Sequence, residues 1–307
     1  MTNGGSNDSR SSRNERREAA REKARQLRVE QKKRDRRNRV FVQGGIGVAI
    51  LAALAIVAIV IVNSIRPPGP GPANMASDGI VIGTGLKAES TASLAADASP
   101  VPTTPDASGS VVSIRLYVDY LCPYCGQFER TNASQISQMA NSGAATVEIH
   151  PIALLTSHSA GTKYSLRAAN AAACVADDSP NQFYKFHTSL FTNQPAEGSA
   201  GLTDAQLKKL VVSAGATKTS QIDKCIDDGT YTTWVANATD RALSGPIPNS
   251  NVPKLSGTPL VIVNGKQYTG SLTSAGDFKA FVLQAQGEAY STATPVPTST
   301  PTPTATP

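Results

Sequence analysis

Two cysteines separated by two residues, Cys122 and Cys125, are the strongest chemical signal in the 307-residue sequence. The apolar/polar alternation from Val112 to Val118 predicts a strand, and Cys122 falls where a helix is expected to begin. The free backbone N–H groups and positive dipole end of a helix N-terminus favour a thiolate there. Cys125, one turn later, is placed to attack a mixed disulfide formed by Cys122. The pattern therefore predicts dithiol–disulfide exchange, with Cys122 as nucleophile and Cys125 as resolving thiol.

Two other interpretations of this cysteine pair exist. It could be half of a zinc site, but tetrahedral zinc normally takes a second close pair. The remaining cysteines, Cys174 and Cys225, lie 49 and then 51 residues further on, with no histidine close to either in the sequence. No metal is therefore predicted. The other alternative is a purely structural Cys122–Cys125 disulfide at the junction of strand and helix.

Cys174 and Cys225 each fall on a predicted helix, and the C-x-x-C pair leaves them for each other. A bridge closing a loop of about 50 residues would add about 4 kcal/mol in the chain-entropy treatment. We interpret the pair as a structural disulfide. A second redox site is the alternative, although neither cysteine has a nearby thiol or a cationic activator. The exchange chemistry needs no bound cofactor, and none is predicted.

Several residues near the cysteine pair are candidates for supporting roles. Thr258-Pro259 precedes an apolar run, where proline either starts a strand in trans or forms a cis bond. The cis form would bring the loop against Cys122 and offer backbone groups to an extended substrate. Asp119 and Glu129 are candidate proton acceptors for Cys125, the alternative being surface or capping carboxylates. The three histidines lie in no partner pattern and receive no role: His150, His158 and His187.

The elements that must position these side chains follow from hydrophobic periodicity. After the first strand and helix, a second strand is expected, followed by a long helical block in which Thr203 starts a helix and Gly229 stops one. Asn264-Gly265 between two short runs predicts a two-residue hairpin. The expected elements after the first helix are a strand at 146–149, a helical block at 159–243, a hairpin at 260–269 and a helix at 275–286.

Charge and hydropathy divide the chain further. Residues 1–39 hold 14 Lys/Arg and 6 Asp/Glu, and residues 40–65 carry no charge. The uncharged segment is long enough to cross a bilayer as a helix, and it is followed by no convincing cleavage site, so we predict a membrane anchor rather than a cleaved signal peptide. The basic excess places the N-terminus in the cytoplasm and everything after the anchor outside. The basic segment itself is interpreted as a topology determinant, with nucleic acid or lipid binding as the alternative.

The remaining chain reads as one domain between two low-complexity segments. Residues 66–110 are rich in Pro, Ala and Ser and predict a disordered linker, and the Thr/Pro-rich residues 289–307 predict a disordered tail. Residues 111–288 are long enough for one core. Residues 67–307 hold 14 basic and 17 acidic side chains, which leaves no basic face for nucleic acid.

The motifs together resemble those of a known family. Val118–Cys125 (VDYLCPYC) resembles the active-site strand and helix of the DsbA-like thiol–disulfide oxidoreductases, and Gly257–Gly265 (GTPLVIVNG) resembles their cis-proline loop and hairpin. Thr162–Ala169 is similar to a helix of their inserted domain. The resemblance is greatest to membrane-anchored actinobacterial members. It implies an α/β thioredoxin fold with a helical insertion at about 152–250, preceded by one transmembrane helix.

The resemblance also implies a function outside the cytoplasm. It implies an enzyme that introduces disulfides into reduced, unfolded exported proteins, and a structural disulfide between Cys174 and Cys225. The expected re-oxidant is a membrane protein of the vitamin K epoxide reductase type. The dipeptide between the active cysteines is Pro-Tyr rather than the Pro-His of the strongly oxidising prototype. A reductase or isomerase therefore stays an alternative, as does a tethered, non-catalytic binding module.

Overall fold

A computed structural model describes residues 69–292, together with residues 21–23, 25, 28 and 31–34, which are helical. The chain divides into two compact units at residues 67 and 68, and all elements discussed below belong to the second. The predicted membrane anchor, residues 40–65, lies outside the described residues. Among those described, no helix is both long and apolar enough to cross a membrane.

The second unit combines six strands with seven α-helices among its described residues. Three short 3-10 turns accompany them, at Thr84–Leu86, Thr156–His158 and Pro180–Gln182. In chain order the strands and helices are β1 (Ile80–Gly83), β2 (Lys87–Ala88), β3 (Val112–Val118), α1 (Pro123–Ser142), β4 (Ala145–Pro151), α2 (Tyr164–Asp178), α3 (Phe183–Thr192), α4 (Asp204–Ser213), α5 (Thr219–Asp228), α6 (Thr232–Ser244), β5 (Leu260–Val263), β6 (Lys266–Gln267) and α7 (Ala275–Thr292).

One mixed sheet organises the unit, with strand order β2-β1-β4-β3-β5-β6. β3 and β4 run parallel and are joined by α1, while β5 pairs antiparallel with β3. β3 is therefore central, buried between two neighbours. Because the active cysteines follow closely after β3, a strand paired on both sides positions them.

The alternation along β3 separates two hydrophobic cores. Ile114, Leu116 and Val118 belong to the larger core, which also contains side chains of α1, α7 and the inserted helices. Phe128 of α1 meets Phe278 of α7 edge to face, with ring centroids 5.2 Å apart. On the opposite face, Tyr117 belongs to a smaller core. The period of two that predicted the strand thus also sorts its side chains between the two faces.

Helices α2 to α6 form the helical insertion between β4 and β5, within the predicted range of about 152–250. Thr203 accepts a hydrogen bond from the backbone of Gln206 and completes a capping box at the start of α4. Gly229 ends α5 in the left-handed region, at φ 60°. Both helix-boundary predictions are confirmed.

The Asn264-Gly265 turn joins β5 and β6 as the sequence predicted. Both residues have positive φ, 45° and 79°, which the favoured two-residue hairpin turn requires. The second arm is shorter than the expected 266–269, since β6 ends at Gln267. One further backbone hydrogen bond, from Tyr268 N to Val261 O at 2.8 Å, extends the pairing.

The prediction of a disordered linker over residues 66–110 is wrong for its described part. β1 pairs antiparallel with β4 and lengthens the sheet. Ser77 and Thr103 also donate to the buried carboxylate of Glu148, at 2.6 and 2.9 Å. The segment is thus ordered by backbone pairing, by buried hydrogen bonds and by the burial of Met75, Ile80 and Ile82 in the larger core. Its overall composition reveals none of these contacts.

The predicted start of the C-terminal tail also needs correction. α7 runs to Thr292, so residues 289–292 are helical rather than disordered. The extension packs on the segment before β3, because a Cβ on Gly109 would lie only 2.8 Å from the Ala289 backbone. Residues 293–307 lie outside the described part of the chain.

Candidate active site

Cys122 is the N-cap residue of α1, at the junction with β3. Its backbone is extended, with φ −70° and ψ 119°, and Pro123 takes the first helical position, where a missing N–H costs least. Cys122 N donates to Asp119 O at 3.0 Å, and Cys122 O accepts from Gly126 N at 3.1 Å. Cys122 is 4% exposed and Cys125 is fully buried. The first sulfur therefore lies at the edge of the core and the second within it.

The electrostatics of the first turn favour the Cys122 thiolate. The pKa of Cys122 is lowered to about 6, chiefly by a hydrogen bond from the Cys125 thiol. Burial opposes this effect, while the Thr258 side chain and the backbone amides of Cys125 and Tyr124 add to it. Those amides are the unpaired donors of a helix N-terminus. Cys122 is consequently mostly thiolate at pH 7.

Cys125 has the opposite character. Burial, together with its hydrogen bond to Cys122 and the charge on that residue, raises its pKa well above the ordinary thiol value. At pH 7 it is therefore a protonated thiol that donates to its neighbour. The two sulfurs of the reduced pair differ strongly in acidity, which suits Cys122 to be the nucleophile and leaving group of an exchange reaction.

The Thr258–Pro259 loop lies against the nucleophile. Its peptide bond is cis, the second of the two interpretations of the sequence. Cys122 Sγ lies 3.2 Å from the carbonyl oxygen of Thr258. Because the Thr258–Pro259 loop immediately precedes β5, the strand beside β3 carries this loop to the cysteine. An extended peptide approaching Cys122 would meet the Thr258 backbone.

Asp119 links the active-site turn to the helical insertion. Its buried carboxylate accepts from Leu121 N and Leu155 N, each at 2.8 Å, and from the Ser165 hydroxyl. Burial raises the pKa of Asp119, and these hydrogen bonds oppose the rise. Its backbone also hydrogen-bonds to Cys125. The Asp119 carboxylate, predicted as a proton acceptor for Cys125, thus accepts its hydrogen bonds from the active-site turn and from the helical insertion.

Glu129 is a buried residue of α1 and belongs to a row of hydrogen-bonded side chains. Its Oε1 lies 3.1 Å from His187 Nε2, and His187 Nδ1 lies 3.2 Å from the Tyr120 hydroxyl. Glu129 is therefore neither a surface nor a capping carboxylate. His187, to which the sequence assigned no role, completes the chain. The sequence does contain an indication of this role, because His187 lies between Phe183 and Phe191 on the apolar face of α3.

Gln194, just after α3, is a second residue that the sequence motifs missed. Its side-chain amide donates to Cys122 O at 2.8 Å and to Tyr120 O at 3.3 Å. The helical insertion therefore contacts the turn that carries the nucleophile. No local pattern around Gln194 indicates this contact, which depends entirely on the tertiary fold.

The other two cysteines form the disulfide expected from the resemblance. Cys174 on α2 and Cys225 on α5 are bonded, with Cα atoms 5.9 Å apart. Both are buried, so the bond ties two inserted helices together away from solvent. In the described part of the chain, no three His, Cys, Asp or Glu side chains come together in an arrangement that could hold a metal ion.

A helix N-terminal thiolate with a buried resolving thiol beside a cis-proline loop defines a dithiol–disulfide exchange site. A family model described as thioredoxin matches residues 105–283. The chain belongs to the thioredoxin family, and within it to the thiol–disulfide oxidoreductases of the DsbA type. It is therefore an enzyme, and the alternative of a non-catalytic binding module is set aside.

Two solved structures and one curated protein are similar to this chain. The reduced DsbA of Mycobacterium tuberculosis is 28% identical and covers 71% of this chain and 100% of its own, with a TM-score of 0.50. Oxidised BdbD of Bacillus subtilis, 20% identical with a TM-score of 0.50, covers 72% of this chain and 100% of its own and supports the fold alone. The serine/threonine-protein kinase PknE of M. tuberculosis is 34% identical over 134 residues, 42% of this chain and 24% of the kinase. The chain thus matches about a quarter of that curated relative.

Proposed function

We propose that the enzyme donates its Cys122–Cys125 disulfide to reduced exported proteins on the outer side of the cytoplasmic membrane. The observation that carries this proposal is the asymmetry of the two sulfurs. Cys122, with a pKa of about 6, is a good leaving group, and buried Cys125, with its raised pKa, is a poor nucleophile. In donation Cys125 leaves in the first step and Cys122 in the second, and the low pKa of Cys122 favours that second step, which releases the oxidised substrate. Reduction of a substrate instead requires Cys125 to attack.

The proposed reaction has two exchange steps. A substrate thiolate attacks Cys122 Sγ, the enzyme disulfide breaks, and Cys125 leaves and takes up a proton. A second substrate thiolate then attacks the substrate sulfur of the mixed disulfide, and Cys122 leaves as a thiolate. The substrate loses two electrons and forms a disulfide, while the enzyme gains those electrons as a dithiol.

Thiolate stabilisation also makes the reduced enzyme more stable relative to its disulfide. With a pKa of about 6, Cys122 stabilises the reduced form about tenfold at pH 7 relative to a thiol of pKa 9.0. Tenfold corresponds to about 30 mV for a two-electron couple, in the oxidising direction. This term alone covers only part of the roughly 150 mV between thioredoxin and the strongest oxidants, so the potential must be measured.

Location and partners form the second part of the proposal. The uncharged residues 40–65 behind a basic N-terminus support a single-pass anchor with the catalytic domain outside. The buried Cys174–Cys225 disulfide is compatible with an oxidising compartment. Each turnover leaves a dithiol, so a re-oxidant is needed. We propose a membrane quinone-linked protein of the vitamin K epoxide reductase type.

The direction of the reaction is tested by the reduction potential of the full-length enzyme in detergent, with the two cysteine pairs resolved by mass. A value between about −120 and −180 mV, with oxidative refolding of a reduced substrate, supports the proposal. A value near about −270 mV, with rapid reduction of insulin, would establish a reductase instead. Cys122→Ser should abolish either activity, and the matched Cys174→Ser/Cys225→Ser variant should retain it.

Location is tested separately in intact cells. A membrane-impermeant thiol reagent should label Cys122 after mild reduction, and the chain should stay with the membrane fraction. Labelling only after cell lysis would contradict the proposed topology. In cells depleted of the proposed re-oxidant, Cys122 and Cys125 should accumulate as thiols, and an unchanged redox state would exclude that partner.

A further inference from the structure

We propose that Gln194 is a positioning residue through which the helical insertion holds the active-site turn and sets the reactivity of Cys122. This inference rests on exchange chemistry at Cys122, but not on its direction or its location in the cell. It assigns to the insertion a role in the redox site itself.

The first observation is the pair of hydrogen bonds that Gln194 donates. Nε2 lies 2.8 Å from Cys122 O and 3.3 Å from Tyr120 O, so one amide group contacts two carbonyl oxygens of the turn. Cys122 O also accepts the first helical hydrogen bond, from Gly126 N at 3.1 Å. A carbonyl oxygen has two lone pairs, and both are thus in use.

The second, independent observation is the space beside Gly126. A Cβ at this position would lie 2.0 Å from Gln194 Oε1, 2.9 Å from Gln194 Cδ and 2.8 Å from Arg130 Nη1. Any other residue would therefore displace the amide. Glycine is unfavourable within a helix compared with alanine. Its presence in the first turns of α1 is explained by the room that Gln194 needs.

Packing of the insertion fixes the position of Gln194. Its backbone N donates to Phe191 O at 3.4 Å, at the end of α3. The Phe191 ring lies 5.2 Å from the ring of Tyr120, the residue whose carbonyl Gln194 also contacts. The side chain thus projects from a buried aromatic contact onto the turn rather than from a free loop.

The expected effect on Cys122 follows from these contacts. By holding the Tyr120 and Cys122 carbonyls, Gln194 keeps the amides of the first turn aligned with the sulfur, and those amides stabilise the thiolate. Methionine at 194 would keep the length of the side chain and lose the donor. Glutamate would place a carboxylate against two carbonyl oxygens and near the thiolate, which disfavours the charged sulfur more strongly.

The test is a pH titration of the Cys122 thiolate by its ultraviolet absorbance, in the full-length reduced enzyme in detergent. Gln194→Met should raise the midpoint by about half a pH unit and Gln194→Glu by about one unit. At pH 7 this shift destabilises the reduced form about fivefold, so the reduction potential of Gln194→Glu should fall by about 20 mV. Asn193→Ala is the matched control, because its exposed amide donates only to Ser189 O within its own helix, and it should change neither value.

A second arm uses Gly126→Ala, which should shift the titration upward as Gln194→Met does. The double variant should shift it no further than Gly126→Ala alone, because that change already displaces the Gln194 amide. The contrary result is a lowered thermal midpoint for Gln194→Met while its thiolate titration and its reduction potential stay equal to those of the wild type. In that case Gln194 is merely structural and the proposal is overturned. Fully additive shifts would overturn it too. A reducing potential in the wild type would refute only the proposed oxidase direction.

Discussion

The Cys122 thiolate should make the stability of the reduced enzyme depend on pH in a way that the oxidised enzyme cannot share. A group whose pKa is lowered by folding contributes stability above its unfolded pKa and loses it as pH falls through the folded value. For Cys122 this window runs from 9.0 down to about 6. In the disulfide form Cys122 does not titrate, so the difference between the two forms isolates its contribution.

The size of this effect follows from the two pKa values. At pH 7 the folding equilibrium of the reduced form gains about tenfold. This is about 1 kcal/mol of unfolding free energy after allowance for the partial solvent contact of the sulfur. At pH 8 the gain is about 2 kcal/mol, and at pH 5 it vanishes. Cys125 adds nothing in this range, because its raised pKa keeps it protonated.

The assay is guanidinium unfolding of the oxidised and reduced enzyme at pH 5, 6, 7 and 8, with the intact Cys174–Cys225 bond verified by mass. Reduced wild type should gain about 2 kcal/mol relative to the oxidised form between pH 5 and pH 8. Cys122→Ser under the same conditions is the control and should show no such gain. If the reduced wild type follows Cys122→Ser across the whole range, the thiolate is not stabilised by the fold and our account of the site is wrong.

Three further predictions concern the surroundings of the site. Replacing Cys174 and Cys225 together by alanine should lower the free energy of unfolding by about 4 kcal/mol, in guanidinium, with an unchanged thiolate titration. His187→Leu should cost about 3 kcal/mol by the same assay, because it leaves Glu129 buried without its partner, and His187→Gln should recover part of that loss. Arg115→Met removes the buried partner of Glu148 on β4 and should lower the free energy of unfolding by about 3 kcal/mol. It should also speed proteolysis within residues 69–110, because Glu148 holds this segment. Cleavage rates equal to those of the wild type would argue against that role of Glu148.

The elements that carry the nucleophile could be predicted because their signals are local. The alternation of Val112–Val118 marks β3, and the structure gives that strand the same bounds. The Asn264-Gly265 turn and the cap at Thr203 depend on neighbouring residues only. Cys122 and Cys125 lie where a strand ends and a helix begins, so the backbone amides that favour the Cys122 thiolate also follow from a short stretch of chain.

The partners of the candidate carboxylates could not be predicted, since they are distant in the sequence. Asp119 binds Ser165, 46 residues away, and Glu129 binds His187, 58 residues away. Type and spacing identify a carboxylate near a cysteine, but only the fold determines whether it is buried and what it contacts.

The linker prediction failed for a related reason. Composition measures how much apolar surface a segment can bury by itself, whereas residues 80–83 are ordered by an edge that β4 already presents. The polar residues Ser77 and Thr103, which favoured disorder in the sequence, instead satisfy Glu148. The buried carboxylate of Glu148, which is paired with Arg115, thus holds this segment through hydrogen bonds to its polar residues.

The Pro-Tyr dipeptide need not make the site reducing. A histidine between the cysteines would be one source of thiolate stabilisation. Tyr124 stands there instead, and its ring, 60% exposed, supplies no such stabilisation. The pKa of Cys122 nevertheless stays at about 6, because the stabilising groups are the Cys125 thiol, the Thr258 side chain and backbone amides that any dipeptide supplies. The dipeptide is therefore one determinant among several. The others come from a loop 136 residues away and, by our inference, from an amide 72 residues away, so the potential belongs to the whole fold rather than to the motif.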